Sequence, residues 1–537
     1  MIDRNDTSRL HFAVIVLGDV GRSPRMQYHT RSLLEQGHYV SLVGYTGEDL
    51  IPDLNELEAV KSSEGENLLH VVRFKPYTPP AWLRKYKVRG KVPIGLPIYL
   101  LLRLVGLLGG LIYALWFRVT KRKNHKSKPA FIPIDCILIQ NPPSIPLILI
   151  SYLYCITHTK LSFSRSSSSS QRTITSSRPG LVIDWHNLGY TMFDTPTPHH
   201  PIRTIAKYYE AKLAPLSDGN LCVTSAMRDY LVSDFKIQTN KIQVLQDRPP
   251  EFFHSTSLQV KHELMMKLRD DMELSCPVLK QMRLDAASTS SDGDGHKHEY
   301  EEMTIFTKCS YVNGSKKVIP QDNQPALLIS STSWTPDEDF SILLNALVEF
   351  NHKRKKQKEE QNEEKSSLPH VVVIVTGKGP QKAMYQSKIA KLKLEHVSII
   401  TMWLEAKDYP LLLGCSDLGI SLHVSTSGFD LPMKIYDFFG CEVPVCAVSF
   451  KCLDELVQDG ANGRVFHSSD ELANQLFDLL DGMERSGDNA KLNGELKTFR
   501  SNIRGISRWR ENWIENAYDI ILAACPDRDS SRSKKID

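Results

Sequence analysis

The chain has 537 residues, more than one hydrophobic core usually organises, so two domains are expected. Hydrophobic residues make up 41% and charged residues 24%, a globular balance that excludes a disordered or fibrous chain. A net charge of only +4 gives no global reason to expect a nucleic-acid partner.

Ten cysteines are scattered without a CxxC pair, which favours a reducing compartment over a disulfide scaffold or a zinc site. Met1–Arg9 is polar and a strand-like run follows at once, so neither a signal peptide nor an N-terminal membrane span is expected.

His11–Asp19 reads as a buried parallel strand ending in Gly-Asp-Val-Gly. A helix over Pro24–Gln36, stopped by Gly37, and a strand over Tyr39–Val43 complete a Rossmann-like start. Gly18 and Gly21 do not make a GxGxxG fingerprint, which argues against a dehydrogenase. Further βα units follow: strands at Cys136–Gln140, Leu181–Asp184, Leu221–Thr224 and Ile242–Leu245, with helices at Ile145–Cys155, Ile202–Leu213 and Ala226–Phe235. A second series opens at Ala326–Ile329 and runs through a helix at Phe340–Phe350 and strands at Val371–Thr376, Val397–Thr401, Leu418–Leu422 and Val443–Cys446. Pro432–Phe439 reads as a helix with Pro in its first turn. The expectation is an α/β chain of two Rossmann-like, doubly wound domains with a ligand cleft between them. The boundaries read as 1–255, 323–508 and a C-terminal helix and tail at 509–537 that returns to the first domain.

Three stretches read as unfolded inserts or linkers. They are the Ser-rich 162–177, the polar 256–322, in which the part near Leu264–Leu268 could be helical, and the Lys/Glu-dense 352–367.

Residues 94–117 are apolar and long enough to cross a bilayer. Basic clusters flank both ends, Arg84–Lys91 before and Arg118–Lys128 after. Symmetric flanks fit a segment lying on an anionic leaflet better than a span. The strands on either side also belong to one sheet by this reading, which argues against a span. A helix buried beneath the sheet is the third alternative.

A phosphate-bearing ligand needs positive charge or backbone N–H groups at its anion, and proton transfer needs a positioned base. Gly377-Lys378-Gly379 at a strand end offers a cation beside flexible backbone, or else an ordinary turn with a solvated lysine. Ser425–Lys434, with Gly428, is a hydroxyl-rich loop entering a helix whose N–H groups could face an anion. Lys434 and Asp437 share one helical face there, which an exposed ion pair would equally explain. Asp19 ends the first strand beside Arg22 and Arg25, and Asp184, His186 and Asn187 lie at the end of a later one. Strand C-termini are where open α/β sheets bind ligands, and His titrates near neutral pH.

Gly428-Phe429-Asp430-Leu431-Pro432-Met433-Lys434 with Asp437, and Asp459-Gly460-x-Asn462-Gly463, resemble the donor-site signature of GT-B glycosyltransferases. Val16–Met26, Gln140–Pro143, Asp184–Asn187, Ser331–Phe340 and Trp403–Leu412 resemble more closely the dolichol-pathway β-1,4-mannosyltransferases. The resemblance implies transfer of mannose from GDP-mannose to dolichyl-diphosphate chitobiose, with inversion. It implies the cytosolic face of the endoplasmic reticulum membrane, an early step of N-glycan assembly, and no metal or other cofactor. It implies partners among other dolichol-pathway glycosyltransferases, and no nucleic acid. By the same resemblance Gly377, Lys378, Gly428 and Lys434 face the GDP diphosphate and Asp437 the ribose. Asp19 or His186 is the base, and Arg22, Arg25, Asp184 and Asn187 line the acceptor side. Ser427 and Asp430 stand where the wider superfamily has Glu and Gly. Two rivals remain: a lipid-linked glycosyltransferase using another nucleotide sugar, and a non-catalytic scaffold of the same pathway.

Overall fold

The computed structural model describes residues 9–59, 68–75, 77–85, 95–119, 121–122, 130–165, 172–193, 200–289, 302–312, 315–336, 338–360, 368–425, 427–483 and 494–526. The chain forms two compact units. Unit 1 runs to Gln246 and takes in the chain again from Arg510, and unit 2 is Asp247–Trp509.

The main sheet of unit 1 has β1 (His11–Asp19), β2 (Tyr39–Tyr45), β3 (Leu69–Phe74), β4 (Cys136–Asn141), β5 (Gly180–Trp185), β6 (Gly219–Cys222) and β7 (Ile242–Val244). Their order is β7-β6-β5-β4-β1-β2-β3, all parallel. A parallel sheet is covered on both faces, so its central strands need unbroken apolar runs. Phe12–Ile15, Ile137–Ile139 and Leu181–Ile183 supply them and are fully buried. Helix α1 (Pro24–Glu35) begins on a proline that needs no hydrogen-bond partner there, and Gly37 follows it with φ 81°.

Three further helices of this unit bear on function: α2 (Gly95–Tyr113, continued by a π turn to Arg118), α3 (Leu147–Thr157) and α4 (Pro201–Leu213). β3 precedes α2 and β4 follows it, and both lie in the one sheet. α2 is therefore entered and left on the same side, so a simple span is excluded. A helix wholly buried under the sheet is excluded too. Leu111, Ala114 and Leu115 at its end are buried, while Leu100, Leu101 and Val105 are exposed.

The C-terminal segment packs within unit 1. The Trp513 indole N–H donates to His29 Nδ1 at 2.9 Å, and Tyr518 Oη lies 2.9 Å from His38 Nε2. Gly180 makes this approach possible, because a Cβ there would sit 1.9 Å from the Ala524 carbonyl oxygen.

The sheet of unit 2 has β8 (Ala326–Ser331), β9 (Val371–Thr376), β10 (Val397–Met402), β11 (Leu418–Ser421), β12 (Val445–Val448) and β13 (Gly463–Phe466). It is again all parallel, in the order β10-β9-β8-β11-β12-β13. Its core packs Leu328, Val373 and Ile420 against Phe340, Phe350 and Leu476.

All three of the expected unfolded stretches contain regular structure. Within 256–322, a helix over Leu258–Ser275 is capped by the Ser257 hydroxyl, and a second covers Pro277–Thr289. A hairpin pairs Thr307–Val312 with Ser315–Pro320. The signal was Leu264, Leu268 and Met272, buried at helical spacing within a polar composition. In the Ser-rich stretch, Lys160–Arg165 pairs antiparallel with Arg172–Ser177. Its centre, 166–171, lies outside the described residues, as do 290–301. The charged run extends the helix from Phe340 to Glu360, and 361–367 lie outside the described residues.

Gly180→Ala should lower the stability of unit 1 by about 1–3 kcal/mol, the usual cost of overpacking. Urea unfolding followed by tryptophan fluorescence checks this, and an unchanged midpoint contradicts the close approach.

Candidate active site

In unit 2, three loops meet at the carboxyl ends of the adjacent strands β9, β8 and β11. The loop after β8 is organised by Glu338, which is 2% exposed. Its Oε2 accepts the Thr332 hydroxyl at 2.7 Å and the Ser333 N–H, and its Oε1 pairs with the Lys434 ammonium. His423 extends the cluster, lying 3.8 Å from Glu338 and 3.9 Å from Asp430. Asp430 also accepts the Ser425 and Ser427 hydroxyls.

These neighbours set the charges. Burial alone would raise the Glu338 carboxyl, but His423, Lys434 and Thr332 outweigh it and hold it down to about 2. Burial opposes protonation of His423, yet Asp430 and Glu338 lift the imidazole to about 9. His423 is therefore a second cation beside Lys434 at neutral pH. Burial also lifts the Asp437 carboxyl to about 8, against a 3.4 Å hydrogen bond from the Tyr409 hydroxyl. Asp437 is then largely the neutral acid at pH 7.

The sequence-derived donor residues fall into this region with changed roles. Lys434 lies on α5 (Met433–Gly440), but its ion pair is with Glu338, so it and Asp437 are not a surface pair. Gly428 has φ 77°, and its N–H donates to the Ser425 hydroxyl at 2.8 Å. That N–H and the Phe429 N–H, bound to Ser427, are used inside the loop rather than aimed at an anion. Gly377, at φ 132°, is glycine because a Cβ would lie 1.8 Å from the Thr332 carbonyl oxygen. Close packing of two loops thus explains this glycine without a phosphate. Lys378 is exposed, and its ammonium stands 3.8 Å over the Trp403 ring. Glu338, His423 and Tyr409 were missed as site residues. Glu338 sits inside the Ser331–Phe340 motif, and His423 lies at a strand end, the position that singled out His186.

In unit 1, the ends of β5 and α1 converge on the fully buried Asp184 carboxylate. Arg25 binds it in a fork, Nε to Oδ2 at 2.8 Å and Nη2 to Oδ1 at 2.9 Å. His29 Nε2 lies 3.1 Å and His186 Nε2 2.8 Å from Oδ2. Burial alone would raise Asp184, but Arg25 and the two histidines outweigh it and hold the carboxyl well below its usual range. An ionised carboxylate only accepts, so both histidines present N–H from Nε2. Trp513 occupies His29 Nδ1, and burial keeps that imidazole neutral against the pull of Asp184. Among the described residues the His186 ring, 24% exposed, makes no second hydrogen bond, which leaves Nδ1 as its unbonded nitrogen.

Arg25 and Asp184 were expected to line the acceptor side. Both are buried; Arg25 forks onto Asp184, and Asp184 also binds the two histidines, so the pair positions His186. Asp19 is engaged by its own loop, accepting the Gly21 and Glu48 N–H groups at 3.0 Å each, with Arg22 at 3.6 Å. Arg22 is exposed and paired with Glu48. Asn187 closes the turn after β5, its Oδ1 accepting the Leu188 N–H at 2.7 Å.

His423 has a raised pKa, so its contribution to stability is complete below pH 6.5 and is lost as pH rises through about 9. The melting-temperature gap between the protein and His423→Asn should shrink across that window. A gap constant from pH 6 to pH 10 contradicts the ion cluster.

A family model described as "Glycosyl transferases group 1" matches residues 348–482. Chitobiosyldiphosphodolichol beta-mannosyltransferase of Mus musculus is 38% identical over 515 residues, covering 95% of this chain and 89% of the relative. The Homo sapiens protein of that name is 36% identical over 526 residues, covering 97% and 94%. An Arabidopsis thaliana protein named UDP-glycosyltransferase TURAN is 38% identical over 521 residues, covering 95% and 96%. The solved sucrose-phosphate synthase of Thermosynechococcus elongatus superposes with a TM-score of 0.52 at 9% identity, covering 94% of this chain and 97% of that one. That likeness bears on the fold alone, which is of the GT-B type with two Rossmann-like halves. With both units built as parallel sheets and relatives at this identity along nearly the whole chain, the protein is a glycosyltransferase and belongs to the chitobiosyldiphosphodolichol beta-mannosyltransferase family.

Proposed function

We propose that the chain transfers mannose from GDP-mannose to the distal N-acetylglucosamine of dolichyl-diphosphate chitobiose. The product is a β-1,4 link formed with inversion, early in lipid-linked oligosaccharide assembly at the cytosolic face of the endoplasmic reticulum membrane. The observation that carries this reading is the identity to proteins of that name along 95% of the chain.

A cluster in each unit supports the chemistry. Inversion calls for a base that removes the proton of the acceptor O4 hydroxyl as the bond to the anomeric carbon forms. His186 is the base in this reading, because Asp184 fixes its Nε2–H and leaves Nδ1 to take the proton. Asp19 is the weaker choice, since its oxygens already accept two backbone N–H groups. The bond to GDP breaks as charge gathers on the leaving diphosphate. Lys434 and protonated His423 supply positive charge for it, aided by the N-terminus of α5. Glu338 holds Lys434 in place and, in exchange, part of its charge. The neutral acid of Asp437 can donate a hydrogen bond to a ribose hydroxyl. Other dolichol-pathway glycosyltransferases are proposed as protein partners on the resemblance alone.

A second reading, another nucleotide sugar as donor, is favoured by the Arabidopsis relative named UDP-glycosyltransferase TURAN.

Purified protein given GDP-mannose and a phytanyl-linked chitobiosyl diphosphate should yield one mannosyl product, cleaved by β-mannosidase. Product from UDP-sugars and none from GDP-mannose selects the second reading. No product from any donor, with binding to pathway enzymes intact, makes the chain a scaffold. Lys434→Ala should lower kcat/KM for the donor by about 100-fold, the scale of one lost charge-stabilising donor.

A further inference from the structure

We propose that unit 1 carries a membrane-docking face built from three helices, α2, α3 and α4, which lies in the plane of an anionic lipid surface. The proposal deepens the reading above, because a dolichyl acceptor is itself a membrane lipid.

The face begins with α2. The window Ile98–Arg118 is long and apolar enough to cross a bilayer, yet only 22% of it is buried. Leu101 and Val105 are 59% and 55% exposed. α3 presents Leu149, Leu153 and Ile156 to solvent at i, i+4 and i+7, while Leu147, Ile148, Ile150 and Tyr154 face the protein. α4 presents Ile202, Ile205 and Tyr208 at every third position, with Ile205 65% exposed. The helices are neighbours. Trp116, just after α2, packs edge-on against Tyr154 of α3 at 4.8 Å, and the Leu149 N–H of α3 donates to Tyr209 Oη of α4 at 3.1 Å. Three outward apolar stripes on adjacent helices make one patch, of a kind that soluble monomers seldom leave in water.

Charge identifies the occupant. Glu210 is the one acidic residue in Gly95–Arg118, Leu147–Thr157 and Pro201–Leu213, and it is buried. The cations are Arg103, Arg118, Arg203, Lys207 and Lys212, with more basic residues in sequence on both sides of α2. An apolar face with cations and no exposed acid fits acyl chains below and anionic headgroups around them. Tyr113, Phe117 and Tyr208, all exposed, are side chains that favour such an interface. A second copy of this chain fits poorly, because it would oppose two sets of like charges. Spanning is excluded by β3 and β4, which lie in one sheet on either side of α2.

The test leaves α2 intact. Full-length protein, Leu149→Asp/Leu153→Asp and Ile205→Asp are floated with phosphatidylcholine vesicles, with and without phosphatidylserine. Turnover of a short-chain acceptor in detergent is measured in parallel. The unaltered protein should float with the phosphatidylserine vesicles and much less with phosphatidylcholine alone. Each variant should lose about tenfold or more in vesicle affinity and keep its detergent turnover. Variants that float like the unaltered protein overturn the three-helix face, as does an unaltered protein that does not float. A variant that changes the molecular mass by light scattering but not flotation assigns the face to a second copy, and overturns the lipid. Absence of turnover in the unaltered protein counts against the proposed reaction, while flotation still decides the face.

Discussion

Unit 1 is organised around one buried carboxylate. Asp184 ends β5 and gathers Arg25 and His29 from α1, 159 and 155 residues away, with His186 two residues on. A buried charge is costly unless its hydrogen-bonding capacity is filled, and here four N–H groups fill it. Through His29 the same carboxylate reaches Trp513, 484 residues along the chain, so the return of the C-terminal segment belongs to the network. The arrangement leaves His186 with a defined tautomer and an outward nitrogen. That is the property a general base needs, and it follows from filling the hydrogen bonds of a buried acid.

Unit 2 solves a related problem with the opposite outcome. Glu338 is buried and ionised, and it draws Lys434 from 96 residues away and His423 into ion-pair distance. Its surroundings gather cations at the ends of β8 and β11 rather than free a base. Asp430 and the hydroxyls of Ser425 and Ser427 occupy the loop where the wider superfamily has a different pair of residues. The loop thus keeps a polar end without that pair, its cations Lys434 and His423 balanced by Glu338 and Asp430.

The fold was legible because parallel sheets demand continuous apolar runs, and runs such as Phe12–Leu17 and Val371–Val375 can be read directly. Strand ends singled out His186 and Lys434, which lie in the Asp184 and Glu338 clusters. What could not be read was partnership. Whether Asp184 meets a ligand or an arginine depends on a contact across 159 residues, and no local spacing reveals it. Gly377 looked like a phosphate loop and is a packing glycine, because its constraint comes from the Thr332 carbonyl. The helix over Leu258–Ser275 was hidden by its polar face, although its apolar spacing was regular.

The account rests most heavily on His186 acting as the base that Asp184 holds in place. The direct measurement is kcat, at saturating GDP-mannose and acceptor, for His186→Gln beside Asp19→Asn, with KM for the donor determined for each. The account predicts that His186→Gln loses about 100-fold or more in kcat with donor KM unchanged. It predicts that Asp19→Asn stays within about tenfold, the scale of a weakened hydrogen bond. Near-normal turnover in His186→Gln, with collapse in Asp19→Asn, would contradict it.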